Sequence, residues 1–269
     1  MIYLNDDEFI EITSFLKRNY GINLEFKRQL IEARLCNIIT EKGFCSFRDY
    51  FDFVYSNESN DEIAILINKV TTHHTFFMRE FEHFKFFQNT VMPQLHKNIK
   101  NRDLRIWSAG CSSGEEAYTL SMIIQDFLAE EKSLWDKKIL ATDISPNVID
   151  IAQKGIYSSD SLENVPEIWK LTYFDKIDSE LFKASTRLKN EVIFRVFNLM
   201  DEFPFKKKFH VIFCRNVMIY FDNATKLKLI KKFYDMTEKG GYLFIGLSES
   251  LNKEEIPYKY IMPSVYMKG

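Results

Sequence analysis

The sequence predicts an α/β protein in which an all-helical unit precedes an open, mostly parallel sheet with crossover helices. Three observations carry this. Up to about residue 70 apolar residues recur at helical spacing. From about residue 103 short apolar runs alternate with helical stretches, the pattern of strand–helix–strand units. Between them in importance stands RIWSAGCSSGEEAYT, residues 105–119, which reads as a strand, a tight glycine turn and a helix start.

In chain order, NDDEFIEITSFLKRNYG opens with Asn5 or Asp6 as N-cap, places Phe9, Ile12, Phe15 and Leu16 near a helical period, and stops at Gly21. A second helix from about residue 25 to 42 carries Ile31, Leu35, Ile38 and Ile39 on one face and Lys27, Arg28 and Arg34 on another. FRDYFDFVYS and DEIAILINKVTT supply two more helices. LRIWSAG is the first strand; the helix after Gly114 then aligns Ala117, Leu120, Ile124 and Leu128. KKILATDIS follows as a strand, with Ser145 capping a helix that begins at Pro146 and closes at Gly155. Later strands are VIFRVFNL, FHVIFC, YLFIGLS and SVYMKG, and a helix from about residue 223 to 238 precedes the Gly240-Gly241 break. Residues 155–190 break the alternation and read as a small β insertion. The expected organisation is a helical domain over 1–70, a linker with a connecting helix over 71–102, and an α/β domain over 103–269.

Composition narrows the function. The chain has 269 residues, 46% apolar and 15% aromatic, enough for a substantial core. With 36 basic and 38 acidic side chains, no global field draws it to nucleic acid or an anionic membrane. No apolar run approaches bilayer length, and the acidic start does not resemble a secretory signal. Cys36, Cys45, Cys111 and Cys214 form no CxxC pair, so reduced, mostly buried thiols in a cytoplasmic protein are expected. His73, His74 and His83 match no zinc spacing, and no metal is expected.

The turn after the first strand is where an open parallel sheet binds its ligand. A dinucleotide would bring phosphate to the helix N-terminus, where Glu115 and Glu116 oppose it and no lysine compensates. At an effective dielectric of ~20, a like-charge contact at about 4 Å costs on the order of 4 kcal/mol. S-adenosylmethionine has no phosphate, and its sulfonium, ammonium and ribose hydroxyls all suit nearby acids. Asp143, at the end of the second strand and 33 residues beyond Gly110, is placed to accept from both ribose hydroxyls. Either glutamate alone is better read as an acid complementing a helix N-terminus; the glycine turn together with Asp143 favours the site.

Taken together, TTHHTFFMRE, RIWSAGCSSGEEAYT, ILATDIS, VFNLM, FCRNVMIYFD and YLFIGLSES, in this order, resemble the chemotaxis receptor methyltransferase (CheR) family over nearly the whole chain. The resemblance implies a Rossmann-like S-adenosylmethionine-dependent methyltransferase domain with a small antiparallel β-subdomain, preceded by an all-helical N-terminal domain. It implies protein-glutamate O-methylation: methyl transfer to glutamate side chains in the cytoplasmic helical bundle of methyl-accepting chemotaxis receptors, with S-adenosylhomocysteine as product. A monomer is expected. Residue by residue it puts His73, Thr75 and Arg79 of the linker against the cofactor, with Arg79 on the methionine carboxylate. Gly110 belongs to the turn, Glu116 meets the ammonium and Asp143 the ribose. Asn198 and Leu199 flank the adenine; Arg215 and Asn216 line the methyl end, where Arg215 and Tyr220 are the catalytic candidates. Lys27, Arg28 and Arg34 become candidates for receptor docking. The chain departs from the family at His73, usually Asn, at His210, often Asp, and at Leu247, commonly His. Two other readings stand beside this one: methylation of a different carboxylate acceptor, and a non-catalytic regulator that binds the same cofactor. Without the family match, Arg79 would be read as an ion-pair partner of Glu80 or Glu82. Phe76, Phe77, Phe81, Phe84, Phe86 and Phe87 are expected to be core and interdomain packing.

Overall fold

Asn5 starts the first helix, α1 (Asp6–Tyr20), through a reciprocal box: its side chain accepts from the Glu8 N–H at 2.9 Å, and the Glu8 carboxylate accepts from the Asn5 N–H at 2.9 Å. The computed structural model describes residues 2–56, 60–71, 74–252 and 254–269. α2 (Arg28–Glu41), α3 (Phe47–Ser56) and α4 (Asn60–Val70) complete the helical unit. α2 begins later than its apolar period suggests, because Leu24 to Lys27 closes as a turn with the Lys27 N–H on the Leu24 carbonyl at 2.9 Å. The connecting segment is α5 (Phe81–Phe86), a π-turn (Phe87–Val91) and α6 (Met92–Asn98). Pro93 accounts for the widening: it has no N–H for the carbonyl four residues back, and just before it the Met92 N–H reaches five residues back to Phe87.

The α/β part runs β1 (Ile106–Ala109), α7 (Glu115–Leu128), β2 (Ile139–Asp143), α8 (Pro146–Lys154), β3 (Ile156–Ser158), α9 (Glu167–Tyr173), β4 (Phe174–Lys176), β5 (Leu181–Ala184), α10 (Thr186–Lys189), β6 (Val192–Val196), β7 (Phe209–Cys214), α11 (Asn223–Met236), β8 (Thr237–Ile245), β9 (Lys259–Met262) and β10 (Val265–Met267). Seven strands form one sheet in the order β6-β2-β1-β7-β8-β10-β9. The first five are parallel, whereas β10 is antiparallel to both β8 and β9. The segment that breaks the alternation forms its own antiparallel sheet, β3-β5-β4. β1 lies between β2 and β7, so the chain reverses its direction of travel across the sheet there, and the crevice at the carboxyl ends opens at that point.

Strand alternation sorts the core into two layers. Ile106, Val211, Phe213 and Phe244 face one side, packed with Phe84, Phe87, Leu120 and Ile124 from α5, the π-turn and α7. Trp107, Ile212, Leu243 and Ile245 face the other, where a single cluster continues through Ile230 and Phe233 of α11 into Ile12, Leu16, Leu35 and Phe51 of the N-terminal helices. The helical unit is thus packed into the second face of the sheet. Of the linker aromatics, Phe77, Phe84 and Phe87 are buried as packing requires, but Phe81 is exposed and Phe76 turns toward the crevice. Among the cysteines, Cys111 and Cys214 are buried while Cys45 is exposed. Among the described residues no helix is long and apolar enough to cross a membrane.

Candidate active site

A cleft opens at the carboxyl ends of four parallel strands. Gly110, Cys111 and Ser112 come from the turn after β1, Asp143 and Ile144 from the end of β2, Phe197 to Leu199 from beyond β6, and Arg215 to Val217 from beyond β7. The linker adds His74, Thr75, Phe76 and Arg79, and the helical unit closes one side with Tyr20, Ile22 and Ile67. His73 lies outside the described residues. Every other residue predicted to meet the cofactor lines this cleft: Thr75, Arg79, Gly110, Glu116, Asp143, Asn198, Leu199, Arg215 and Asn216, with Tyr220 beside them.

The glycine turn has a steric reason. Gly110 sits at φ 88°, and a Cβ there would stand 2.2 Å from Cγ2 of Val217. The two glutamates that follow diverge. Glu115 turns inward and is 4% exposed, accepting from the Ser113 hydroxyl at 2.8 Å; burial raises its pKa against that hydrogen bond. Glu116 faces the cleft, accepting from the Ser108 hydroxyl at 2.6 Å and from Nη1 of Arg215 at 2.9 Å. Asp143 orders the turn opposite it: one oxygen accepts from the Ser112 N–H at 2.9 Å, the other from the Ser145 N–H at 3.1 Å.

Arg79 donates from Nη1 to the His74 carbonyl at 2.5 Å, and among the described residues no carboxylate pairs with it. The acids next to it in sequence are used elsewhere, Glu82 against Lys85 at 3.9 Å and Glu80 against Arg215 at 3.1 Å. Asn198 is committed to the protein: its amide nitrogen donates to the Asn19 carbonyl at 2.9 Å, and its oxygen accepts from the Met200 N–H at 3.0 Å. Of the residues assigned to docking, Arg28 bonds the Leu4 carbonyl and Asp6 and lies over the Phe9 ring, and Arg34 bonds the carbonyls of Lys69 and Thr71. Lys27 is exposed beside Phe26, itself 93% exposed.

Two acids that carry the site were not assigned to it from sequence. Glu80, in a left-handed conformation at φ 58°, receives Nε and Nη2 of Arg215, the Asn216 amide at 3.3 Å and the Leu247 N–H at 3.2 Å. Burial works to raise its pKa, but the nearby His83 ring, with Nδ1 at 3.3 Å, the Arg215 charge and the Leu247 N–H outweigh it and hold the carboxyl at about 2. Glu249 braces the loop after β7, accepting from the N–H groups of Asn216, Ile219 and Gly246 at 3.1, 3.1 and 2.6 Å; its burial raises its pKa despite these bonds. Ser108 left the clearest trace in the sequence, as a hydroxyl in an otherwise apolar strand.

The donor set fits a cationic, phosphate-free nucleoside. Glu116 and Asp143 place two carboxyl groups at the turn, Arg79 has no carboxylate partner among the described residues, and the helix N-terminus that would hold a phosphate is occupied by acids. Among the described residues no cluster of three His, Cys, Asp or Glu side chains forms a metal site. On this fold, such a cleft defines the class of S-adenosylmethionine-dependent methyltransferases.

The chain belongs to the CheR methyltransferase family. Residues 7–71 match the model described as the CheR methyltransferase all-alpha domain, and residues 73–267 the one described as the CheR methyltransferase SAM binding domain. It is 43% identical to a chemotaxis protein methyltransferase of Borreliella burgdorferi, over all of this chain and 96% of that one. A probable chemotaxis protein methyltransferase of Rhizobium etli is 35% identical over 86% of this chain and 87% of its own. The chemotaxis protein methyltransferase of Escherichia coli is 31% identical over 98% and 91% respectively. The protein is therefore an S-adenosylmethionine-dependent methyltransferase of chemotaxis.

Proposed function

We propose that the protein methylates glutamate side chains on the cytoplasmic helical bundle of methyl-accepting chemotaxis receptors, giving glutamate methyl esters. The observation that carries this is the cleft's lining: Glu116 and Asp143 beside the glycine turn, Arg79 with no carboxylate partner among the described residues, and Arg215, bonded to Glu116, together with Tyr220. When bound, S-adenosylmethionine supplies an electrophilic methyl on a positively charged sulfur. Arg79 grips its carboxylate, Glu116 its ammonium and Asp143 its ribose hydroxyls. Thr75 completes the linker side. Since both polar ends of the Asn198 side chain are used by the protein, Asn198 and Leu199 serve the adenine as a wall, with Phe197 and Ile144 beside them.

The acceptor needs no base. A glutamate with a pKa of about 4.3 is ionised at neutral pH, and its oxygen attacks in line once aligned. Tyr220 and Arg215 do the aligning. Receptor docking falls to the face around Lys27, Arg28 and Arg34, a reading supported by the exposed Lys27 and Phe26 and weakened by the internal bonds of the two arginines. An enzyme acting there works in the cytoplasm. The test is incubation with methyl-labelled S-adenosylmethionine and receptor-rich membranes, followed by mild base. Base-labile label on receptor glutamates is the expected result; base-stable label, or label on another protein or a small acid, overturns the assignment.

A further inference from the structure

Arg215 is nearly closed off from solvent, 3% exposed at the side chain, and its guanidinium meets two carboxylates. Nη1 goes to Glu116, while Nε and Nη2 go to Glu80; Nη2 also donates to the Arg79 carbonyl, and the guanidinium lies 5.0 Å from the centre of the Phe84 ring. One cation shared by two anions has a consequence for the cleft. Among the described charged residues that line it, Arg79 and Arg215 stand against Glu116 and Asp143, a neutral balance. Glu80, just behind Arg215, tips that balance by one negative charge.

We propose that Glu80 is a positioning residue that neutralises Arg215, so that Glu116 keeps a net negative charge for the cationic end of the cofactor. Without it, Arg215 and Glu116 form a self-contained ion pair, and the inner end of the cleft offers no net charge to a ligand. The same carboxylate ties three segments together, the linker through its own backbone, the loop after β7 through Arg215 and Asn216, and the loop after β8 through Leu247. It therefore also fixes the linker that carries Arg79. The inference rests on the S-adenosylmethionine site described above, but concerns a charge rather than a contact: S-adenosylmethionine differs from S-adenosylhomocysteine by one positive charge and one methyl group, so losing a nearby negative charge changes their relative affinity, whereas a general loosening of the cleft weakens both.

The experiment is calorimetric titration of both ligands into the full-length protein at low ionic strength. In Glu80→Gln the preference for S-adenosylmethionine over S-adenosylhomocysteine, relative to the parent protein, falls about tenfold, since one nearby charge is lost in a partly desolvated site. In the double variant Glu80→Gln/Arg215→Gln the cleft regains its net negative charge, and the preference returns even though both affinities are lower. Equal weakening of the two ligands in the single variant, or no recovery in the double one, overturns the proposal. If melting curves show that the single variant does not fold, the double variant decides by itself: a parental preference supports the charge role and a reduced one overturns it. A parent protein that binds neither ligand overturns the cofactor site and this inference with it.

Discussion

Arg79 and Asp143 are the residues on which the cofactor assignment turns, and each is distinguished from its neighbours by what it does not do or by what it orders. Arg79 has no carboxylate partner among the described residues, whereas Glu82, three positions on, is exposed and stands 3.9 Å from Lys85. Replacing Arg79 by Met is expected to weaken S-adenosylhomocysteine about 10- to 100-fold, the scale of a lost charge-assisted hydrogen bond, while Glu82→Gln leaves affinity unchanged. Calorimetry checks both, and an effect confined to Glu82 would restore the ion-pair reading of this segment. At the methyl end, Tyr220→Phe and Arg215→Ala are expected to lower turnover; if neither does, the aligning roles are wrong. Asp143 and Glu116 were legible in the sequence because a strand end and a helix start expose their chemistry locally. Glu80 and Glu249 were not, because their partners are 135 and 33 positions away and only the fold joins them.

At the scale of elements, the glycine turn after β1 makes the sharpest prediction. Gly110→Ala places a Cβ against Val217 in a left-handed backbone, so it combines a clash with conformational strain. It is expected to cost about 2 kcal/mol or more and to abolish cofactor binding. Gly240 has a similar φ of 75° but nothing within 4 Å of its would-be Cβ, so Gly240→Ala should cost only about 1 kcal/mol and spare binding. Denaturant melts of the two variants distinguish a turn fitted to its neighbour from a merely left-handed one. The capped elements were legible where a local signal marks the boundary: Asn5 and Ser145 stand at the N-caps of α1 and α8, and Gly155 ends α8 in a left-handed conformation. The late start of α2 and the strand β9 were not. A turn inside an amphipathic run, and a short antiparallel strand paired only with β10, leave no periodic trace of their own.

For the whole molecule, the continuous second core layer joins the helical unit to the sheet that carries the site. The Asn23 N–H donates to the Tyr220 carbonyl at 2.8 Å and the Asn198 amide to the Asn19 carbonyl, so the helical unit grips the loops beyond β6 and β7 directly. Far from the cleft, His210 fixes β7 against the approach to β1: its Nδ1 accepts from the Arg105 N–H at 3.1 Å. Burial, reinforced by the Arg105 charge, lowers its pKa from 6.5 to about 4. The unfolded chain then binds a proton that the folded one refuses, so His210's contribution is full above pH 6.5 and is lost as pH falls toward 4. His210→Gln should flatten the stability profile over that window by on the order of 2 kcal/mol, as measured by denaturant melts across pH. The measurement that bears most directly on the central claim is a crystal structure of the protein with S-adenosylhomocysteine. The account predicts density in the cleft, with the ribose at Asp143, the amino group at Glu116 and the carboxylate at Arg79. A ligand bound elsewhere, or one whose carboxylate lies away from Arg79 and whose ribose makes no contact with Asp143, would contradict it.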